Sequence, residues 1–218
     1  MEPSDDPVGR RPLKVRSAGW ARRLAAGLAS SGVTPNFISG VSVFFALLAS
    51  AFPGWFWPDT LPQWSAWVFF AACIQLRLIC NLIDGMVAIE GGKKSVVGDL
   101  WNEIPDRFSD ALFLLTAGWV AGSMPWAVAA TVGALMTAYL RAFGHGLTGQ
   151  QDFSGPGAKP QRMAVLTGGF LLAALSNAWL DSRMVIQFTL VIVTVLTWIT
   201  VARRTLRLAA DLKRRSSS

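Results

Sequence analysis

The chain has 218 residues, 52% of them apolar and only 15% charged, with a net charge of +7. Soluble domains carry about 25% charged residues, so this balance excludes an ordinary soluble domain and points to helices that cross a membrane. The basic excess does not point to nucleic acid either, because the Lys and Arg residues lie between and beside apolar segments rather than on one polar face.

In chain order, residues 1–16 are polar and are expected to be disordered. Ser17 to Gly32 reads as a short amphipathic helix lying on the membrane surface. Trp20, Leu24 and Leu28 recur at helical spacing, and Arg22 and Arg23 can reach headgroups. Thr34 before Pro35 is a helix start. Six spans follow, at about 36–56, 62–89, 98–121, 125–147, 160–180 and 184–203. The uncharged run from Ala111 to Leu140 is too long for one span and divides at Gly122-Ser123-Met124-Pro125. Trp55, Trp57, Trp64, Trp126 and Trp179 sit near span ends, where an interfacial belt belongs. Cys73 and Cys80 share one face of the second span and read as apolar packing, not as a disulfide or metal pair. The fold expected is therefore an all-α integral membrane domain over residues 17–205. It has six transmembrane helices preceded by an interfacial helix, and a basic cytoplasmic tail at 206–218. Basic residues gather at both termini and in the loops after spans two and four, including Lys93, Lys94, Lys159 and Arg162. The positive-inside rule then places both termini in the cytoplasm.

One stretch departs from this apolar pattern. "NLIDGMVAIEGGKKSVVGDLWNEIPDRFSD", Asn81 to Asp110, concentrates carboxylates at the cytoplasmic end of spans two and three. At 100° per residue, Arg77, Asn81 and Asp84 form one stripe. Asp99, Asn102, Glu103, Asp106 and Asp110 form another within about 100°. Carboxylates at membrane depth are costly unless paired or metal-bound. An oxygen-only set suits a hard cation such as Mg²⁺ or Mn²⁺. Local neutralisation of Arg77, Lys93, Lys94 and Arg107 is the simpler account. It does not explain Gly85 and Gly98, which let a bulky ligand approach the backbone.

These residues resemble the CDP-alcohol phosphatidyltransferase (CDP-alcohol phosphotransferase) family, whose motif is D-x2-D-G-x2-A-R-x8-G-x3-D-x3-D. The spacing is kept in full. Asp84, Gly85, Ala88, Gly98 and Asp106 match, while Asn81, Ile89 and Asn102 depart. The "TPN" at 34–36 and the layout of spans are also similar to the family. The resemblance implies attack of an alcohol on the β-phosphorus of a CDP-linked lipid, with release of CMP, in phospholipid biosynthesis. It implies metal ligation by Asp84 and Asp106, with Asn81 and Asn102 at the other ligand positions and Asp106 as the base. It implies donor contacts at Gly85, Ala88 and Gly98. It also implies membrane lipids as surroundings, a homodimer, and a bacterial-type inner or plasma membrane with a cytoplasmic active site.

The departures leave alternatives open. A family member has four motif carboxylates, whose charge two divalent ions cancel. Here Asp84 and Asp106 alone are charged. Three outcomes are open: one ion takes the place of two, Asp99 or Glu103 restores the charge, or the ordinary reaction is altered or lost, leaving a protein that binds CDP-lipid or metal. Arg77 is either a nucleotide contact or the partner of a stripe carboxylate. A second cluster, Arg141 with Lys159 and Arg162, lies near a helix N-terminus and suits a phosphorylated acceptor, although ordinary loop charge would look the same. His145 reads as a bystander. A transporter is disfavoured, because the acids gather at one membrane face and no half of the chain repeats.

Overall fold

The computed structural model describes residues 18–90 and 98–216; the side chains of Ile89, Asp99 and Asn102 lie outside that description. The expected disorder at 1–16 and the basic residues Lys93 and Lys94 likewise fall outside it. The described residues are all-helical: α1 Gly19–Ser30, α2 Pro35–Ala51 continued by a π-helical turn Phe52–Phe56, α3 Gln63–Glu90, α4 Gly98–Val120, α5 Met124–Thr148, α6 Lys159–Ser176 and α7 Ser182–Ser216.

Local sequence sets several of these boundaries. The Thr34 hydroxyl accepts the amide of Phe37, and Pro35 occupies the first helical position, where its missing N–H costs nothing. Gly149 closes α5 in the left-handed conformation, with φ of 72°, as a helix-ending glycine does. α7 does not stop with its apolar run but carries its basic end in helical form to Ser216.

Helices α2 to α7 form a closed ring in the order α2, α3, α6, α7, α5, α4 and back to α2, with α4 also touching α7. α1 lies outside the ring against α3. Its Ala21 and Ala25 bury against Leu82, Ile83, Met86 and Val87, while Trp20 and Leu24 face outward. The ring is packed by small residues: Ala46, Ala49, Ala66, Ala117, Ala127, Ala130 and Ala173 are fully buried. Large apolar side chains such as Phe44, Leu175, Phe188 and Ile192 point outward. Small residues inside and large apolar residues outside is the pattern of helices surrounded by lipid, where close backbone approach replaces a hydrophobic driving force. Cys73 and Cys80 are both free, the first buried and the second half-buried.

Helices α3 (over Gln63–Ala88), α5 and α7 are long and apolar enough to cross a membrane, and α1 with α2, bent by 117°, adds a fourth if counted as one span. α4 carries Asp99, Glu103, Asp106, Arg107 and Asp110 on one helix. α2 and α6 are only 17 and 18 residues long. Length and composition alone therefore support fewer crossings than the six expected.

The segment between α5 and α6 is fixed from α7. The Thr200 hydroxyl accepts the Gly157 amide at 2.7 Å, and Arg204 donates to the Ser154 carbonyl at 3.0 Å. Asp152 lies in the same segment. Burial acts to raise its carboxyl, but the Ser154 hydroxyl and amide and the nearby Arg204 and Arg207 outweigh this and hold it below the usual range. A Cβ at Gly157 would lie 2.4 Å from the Leu196 carbonyl and 2.5 Å from the Thr197 Cα. Both are backbone atoms of a helix and cannot step aside. Gly157→Ala is therefore expected to destabilise the fold by about 1–3 kcal/mol, as overpacking does. The thermal midpoint of the purified protein in detergent measures it, and an unchanged midpoint would refute the contact.

Candidate active site

Because consecutive helices alternate in direction, the starts of α2, α4 and α6 and the ends of α3, α5 and α7 share one end of the bundle. The acidic stretch and the basic cluster, far apart in sequence, meet there. Trp64, Trp126 and Trp179 lie at the opposite end and are all exposed.

The centre is Asp106 on α4. Its Oδ1 accepts from Arg77 Nη2 at 2.9 Å and from the Asn81 amide nitrogen. Its Oδ2 accepts from Lys159 Nζ, with Arg107 Nη2 at 3.8 Å. Arg77 also donates to the Asp106 carbonyl at 3.1 Å. The base expected from the resemblance is thus held from both sides by α3, α4 and α6.

Deeper in the bundle, Asp110 meets Arg162 at 2.6 Å and Arg77 at 3.3 Å. Both guanidinium groups have fully buried side chains. Arg162 also donates to the Gly157 carbonyl at 2.9 Å. Arg162, expected to meet a phosphate, is instead spent on a buried carboxylate and a backbone carbonyl. Of the two roles left open for Arg77, the structure displays the carboxylate partner.

Asp84, on α3, faces α2. The Ser39 hydroxyl donates to its Oδ2 at 2.9 Å, and one turn earlier the Ser42 hydroxyl donates to Asn81 Oδ1 at 2.9 Å. Asp84 is only 4% exposed, and among the described residues its Oδ1 has no hydrogen-bond partner. A buried carboxylate oxygen without a partner is expensive. It is the kind of atom that a hard cation satisfies.

Glu103, expected as a metal ligand, is engaged elsewhere: Arg107 holds Oε2 at 3.1 Å and Arg141 holds Oε1. The Arg141 guanidinium also lies 5.4 Å over the Phe153 ring, a cation–π distance. Gly85 and Ala88 follow Asp84 on the last turns of α3, and Gly98 opens α4. Asp99 and Asn102 are on the first turns of α4, with side chains outside the described residues. Among the described residues, no three His, Cys, Asp or Glu side chains gather to hold a metal. His145 is exposed near the end of α5.

Sequence reasoning passed over Ser39, Ser42, Phe153 and the anchoring role of Asp110. A signal existed for the serines: spaced three apart, they form a polar pair on one face of an otherwise apolar helix.

Two proteins of known activity are similar to the chain. The archaetidylinositol phosphate synthase of Aeropyrum pernix is 28% identical over 208 residues, covering 95% of this chain and 99% of that protein. The phosphatidylinositol phosphate synthase of Cutibacterium acnes is 31% identical over 138 residues, 57% of this chain and 61% of its own length. The chain is thus similar to two synthases of this kind, to the first over nearly its whole length and to the second over little more than half of it. No protein-family model matches it. Solved structures carry the same fold. The Mycobacterium tuberculosis phosphatidylinositol phosphate synthase with CDP-DAG bound has a TM-score of 0.69 at 17% identity, over 88% of this chain and 94% of that one. The same mycobacterial protein in complex with manganese and citrate also has a TM-score of 0.69 at 17% identity, over 86% and 88%. With its apolar outer surface and these relatives, the chain is an integral membrane protein.

The donor set fits the divalent ion that the family fold implies. Every candidate ligand is an oxygen, and Asp84 offers a buried one with no other partner. Soft-ligand alternatives are not supplied: Cys73 and Cys80 are free thiols, and among the described residues no three His, Cys, Asp or Glu side chains gather.

Proposed function

We propose that the protein transfers a phosphatidyl group from a CDP-diacylglycerol-like lipid to a small phosphorylated alcohol, with release of CMP, as a step of phospholipid biosynthesis that depends on Mg²⁺ or Mn²⁺. The observation that carries this reading is the pairing of Asp84 and Asp106 at full motif spacing, one with an open oxygen and the other clothed by Arg77, Asn81 and Lys159.

In the step, the acceptor hydroxyl oxygen forms a bond to the β-phosphorus of the donor. The bond from that phosphorus to the bridging oxygen breaks, and CMP leaves with the electron pair. The hydroxyl proton passes to Asp106. Arg77 and Asn81 fix Oδ1 and so aim Oδ2 outward. Lys159 sits on Oδ2 with a side chain 22% exposed, so it is the partner that can yield to the incoming hydroxyl. A divalent ion on Asp84 would neutralise pyrophosphate charge as it develops. Gly85, Ala88 and Gly98, with no bulk at the ends of α3 and α4, leave room for the donor. Arg141 and Lys159 are the candidates for the acceptor phosphate, and Arg141 must then exchange Glu103 for it. The product names of the relatives make an inositol phosphate the first acceptor to test.

The same reading has α2 to α7 as six spans and α1 on the interface, with both termini and the active site cytoplasmic in a bacterial-type inner or plasma membrane, working as a homodimer. The charge distribution supports this orientation. Arg22, Arg23, Arg141, Lys159, Arg203, Arg207, Lys213, Arg214 and Arg215 lie toward the site end, against Arg183 at the other. A second reading, binding of CDP-lipid or metal without ordinary turnover, is favoured by one observation: Asn81 donates to Asp106 where the family motif has an acid.

The test is direct. Purified protein is given CDP-diacylglycerol, Mn²⁺ and either inositol phosphate or unphosphorylated alcohols, and CMP is measured. CMP release with the phosphorylated acceptor is expected. Tight donor binding with no CMP from any acceptor would replace transfer by the second reading.

A further inference from the structure

We propose that this chain holds one divalent cation, on Asp84, and that the place of a second ion at Asp106 is filled by its own Lys159 ammonium and Asn81 amide. The inference rests on the phosphatidyl-transfer reading for the presence of a divalent ion at all; what it adds is the count and the reason.

The first part of the argument is the direction of the Asn81 amide. An ionised carboxylate can only accept hydrogen bonds, so the group facing Asp106 Oδ1 must be the amide NH₂, whichever way the side chain is built. The amide oxygen then points to Ser42, which donates to it at 2.9 Å. Asn81 therefore presents a donor where a ligand would present a lone pair. A cation beside Asp106 would meet hydrogens from Asn81, and its oxygen is turned toward α2.

The second part is charge. Asp106 already has the Lys159 ammonium on Oδ2 and Arg77 on Oδ1, with Arg107 close by. Arg77 is shared with Asp110, while the Lys159 ammonium is ion-paired with Asp106. Adding a divalent ion here would place two positive charges beside Lys159, Arg77 and Arg107. Asn102 adds no charge in any pose. Asp84 is the reverse case. It is buried, and among the described residues its only side-chain donor is the neutral Ser39 hydroxyl and Oδ1 has no hydrogen-bond partner. Among the described residues Asp84 has no ion-pair partner, whereas Asp106 has three.

A coherent reason follows for Asn81. With an acid at 81, its carboxylate would lie against that of Asp106, and the repulsion between them would have to be relieved by a second ion. Asparagine removes the repulsion and the need for that ion together.

The experiment counts ions on the full chain in nanodiscs. The paramagnetic signal of free Mn²⁺ is followed during titration, with calorimetry in parallel. One Mn²⁺ per chain is expected. Asp84→Asn should weaken it by at least the about 10–100-fold that even outer-shell changes cause. Asp106→Asn and Glu103→Ala should leave the count at one. Asn81→Asp should raise it to two, with the pairwise broadening of neighbouring Mn²⁺ ions. Two ions on the unaltered chain, or loss of the ion in Asp106→Asn with Asp84→Asn unaffected, overturns the proposal. If Asn81→Asp does not fold, the unaltered chain and Asp84→Asn still decide it. Two ions with CMP release overturns only the count, whereas one ion without CMP release overturns only the proposed reaction.

Discussion

Asp106→Asn is expected to lower CMP release by about 10²–10⁴-fold, the range that a positioned general base contributes, while the bundle stays folded. The amide keeps the shape of the carboxylate, and its oxygen can still accept from Arg77 and Asn81 on the Oδ1 side. What it cannot do is take the acceptor proton, and its NH₂ would face the Lys159 ammonium with no lone pair to offer. Arg77 retains Asp110 at 3.3 Å, so the buried guanidinium is not stranded. The measurement is initial-rate CMP release at saturating Mn²⁺, with donor binding and the thermal midpoint followed on the same preparation. Activity within tenfold of the unaltered protein would remove Asp106 as the base.

The second large effect lies one helical turn deeper and concerns folding. Asp110→Ala is expected to cost about 3–5 kcal/mol of stability, because breaking a buried ion pair from one side leaves the other charge uncompensated. Two charges are involved here: Arg162 loses its 2.6 Å partner and Arg77 loses one of two. Arg162 keeps only the Gly157 carbonyl, so the start of α6 and the segment leading into it should loosen together. A steep fall in the thermal midpoint is the readout. The comparison is Asp152→Ala, which removes a partly exposed pair with Arg207 at 3.7 Å and should shift stability by no more than about 1 kcal/mol. Equal effects of the two substitutions would mean that the Asp110 network is not structural.

The contrast between these two aspartates bears on the basic cluster. Arg141, Lys159 and Arg162 look alike in sequence, as cations near the ends of apolar helices. In the fold they have different work. Arg162 is consumed by Asp110 inside the ring. Lys159 covers Asp106 at the rim. Arg141 stands between Glu103 and the Phe153 ring.

Much of the fold was written in periodicity and punctuation. Thr34-Pro35, the break before Pro125 and the helical stretches came through close to their expected limits, because helix boundaries depend on local capping and on where apolar runs end. The acids at 84 and 106 were legible as a site for a similar reason: spacing along a helix fixes which side chains share a face. The length of α7 was less legible. Its basic end has no apolar signal, and Leu208 meets Gly144 while Arg215 reaches the Thr148 carbonyl at 3.0 Å, contacts that only the packed neighbour α5 supplies.

The sequence by itself determined an all-helical, lipid-adapted chain with a carboxylate motif at one end. Composition and spacing are local properties, and the chain carries them without folding. Only the tertiary structure decided what each polar group faces. Ser39 and Ser42 lie some forty residues from Asp84 and Asn81, and Lys159 and Arg162 more than fifty from the acids they meet. No periodicity records such distances. Which carboxylate is left with an open oxygen, and which is already neutralised, follows from the ring order of the helices.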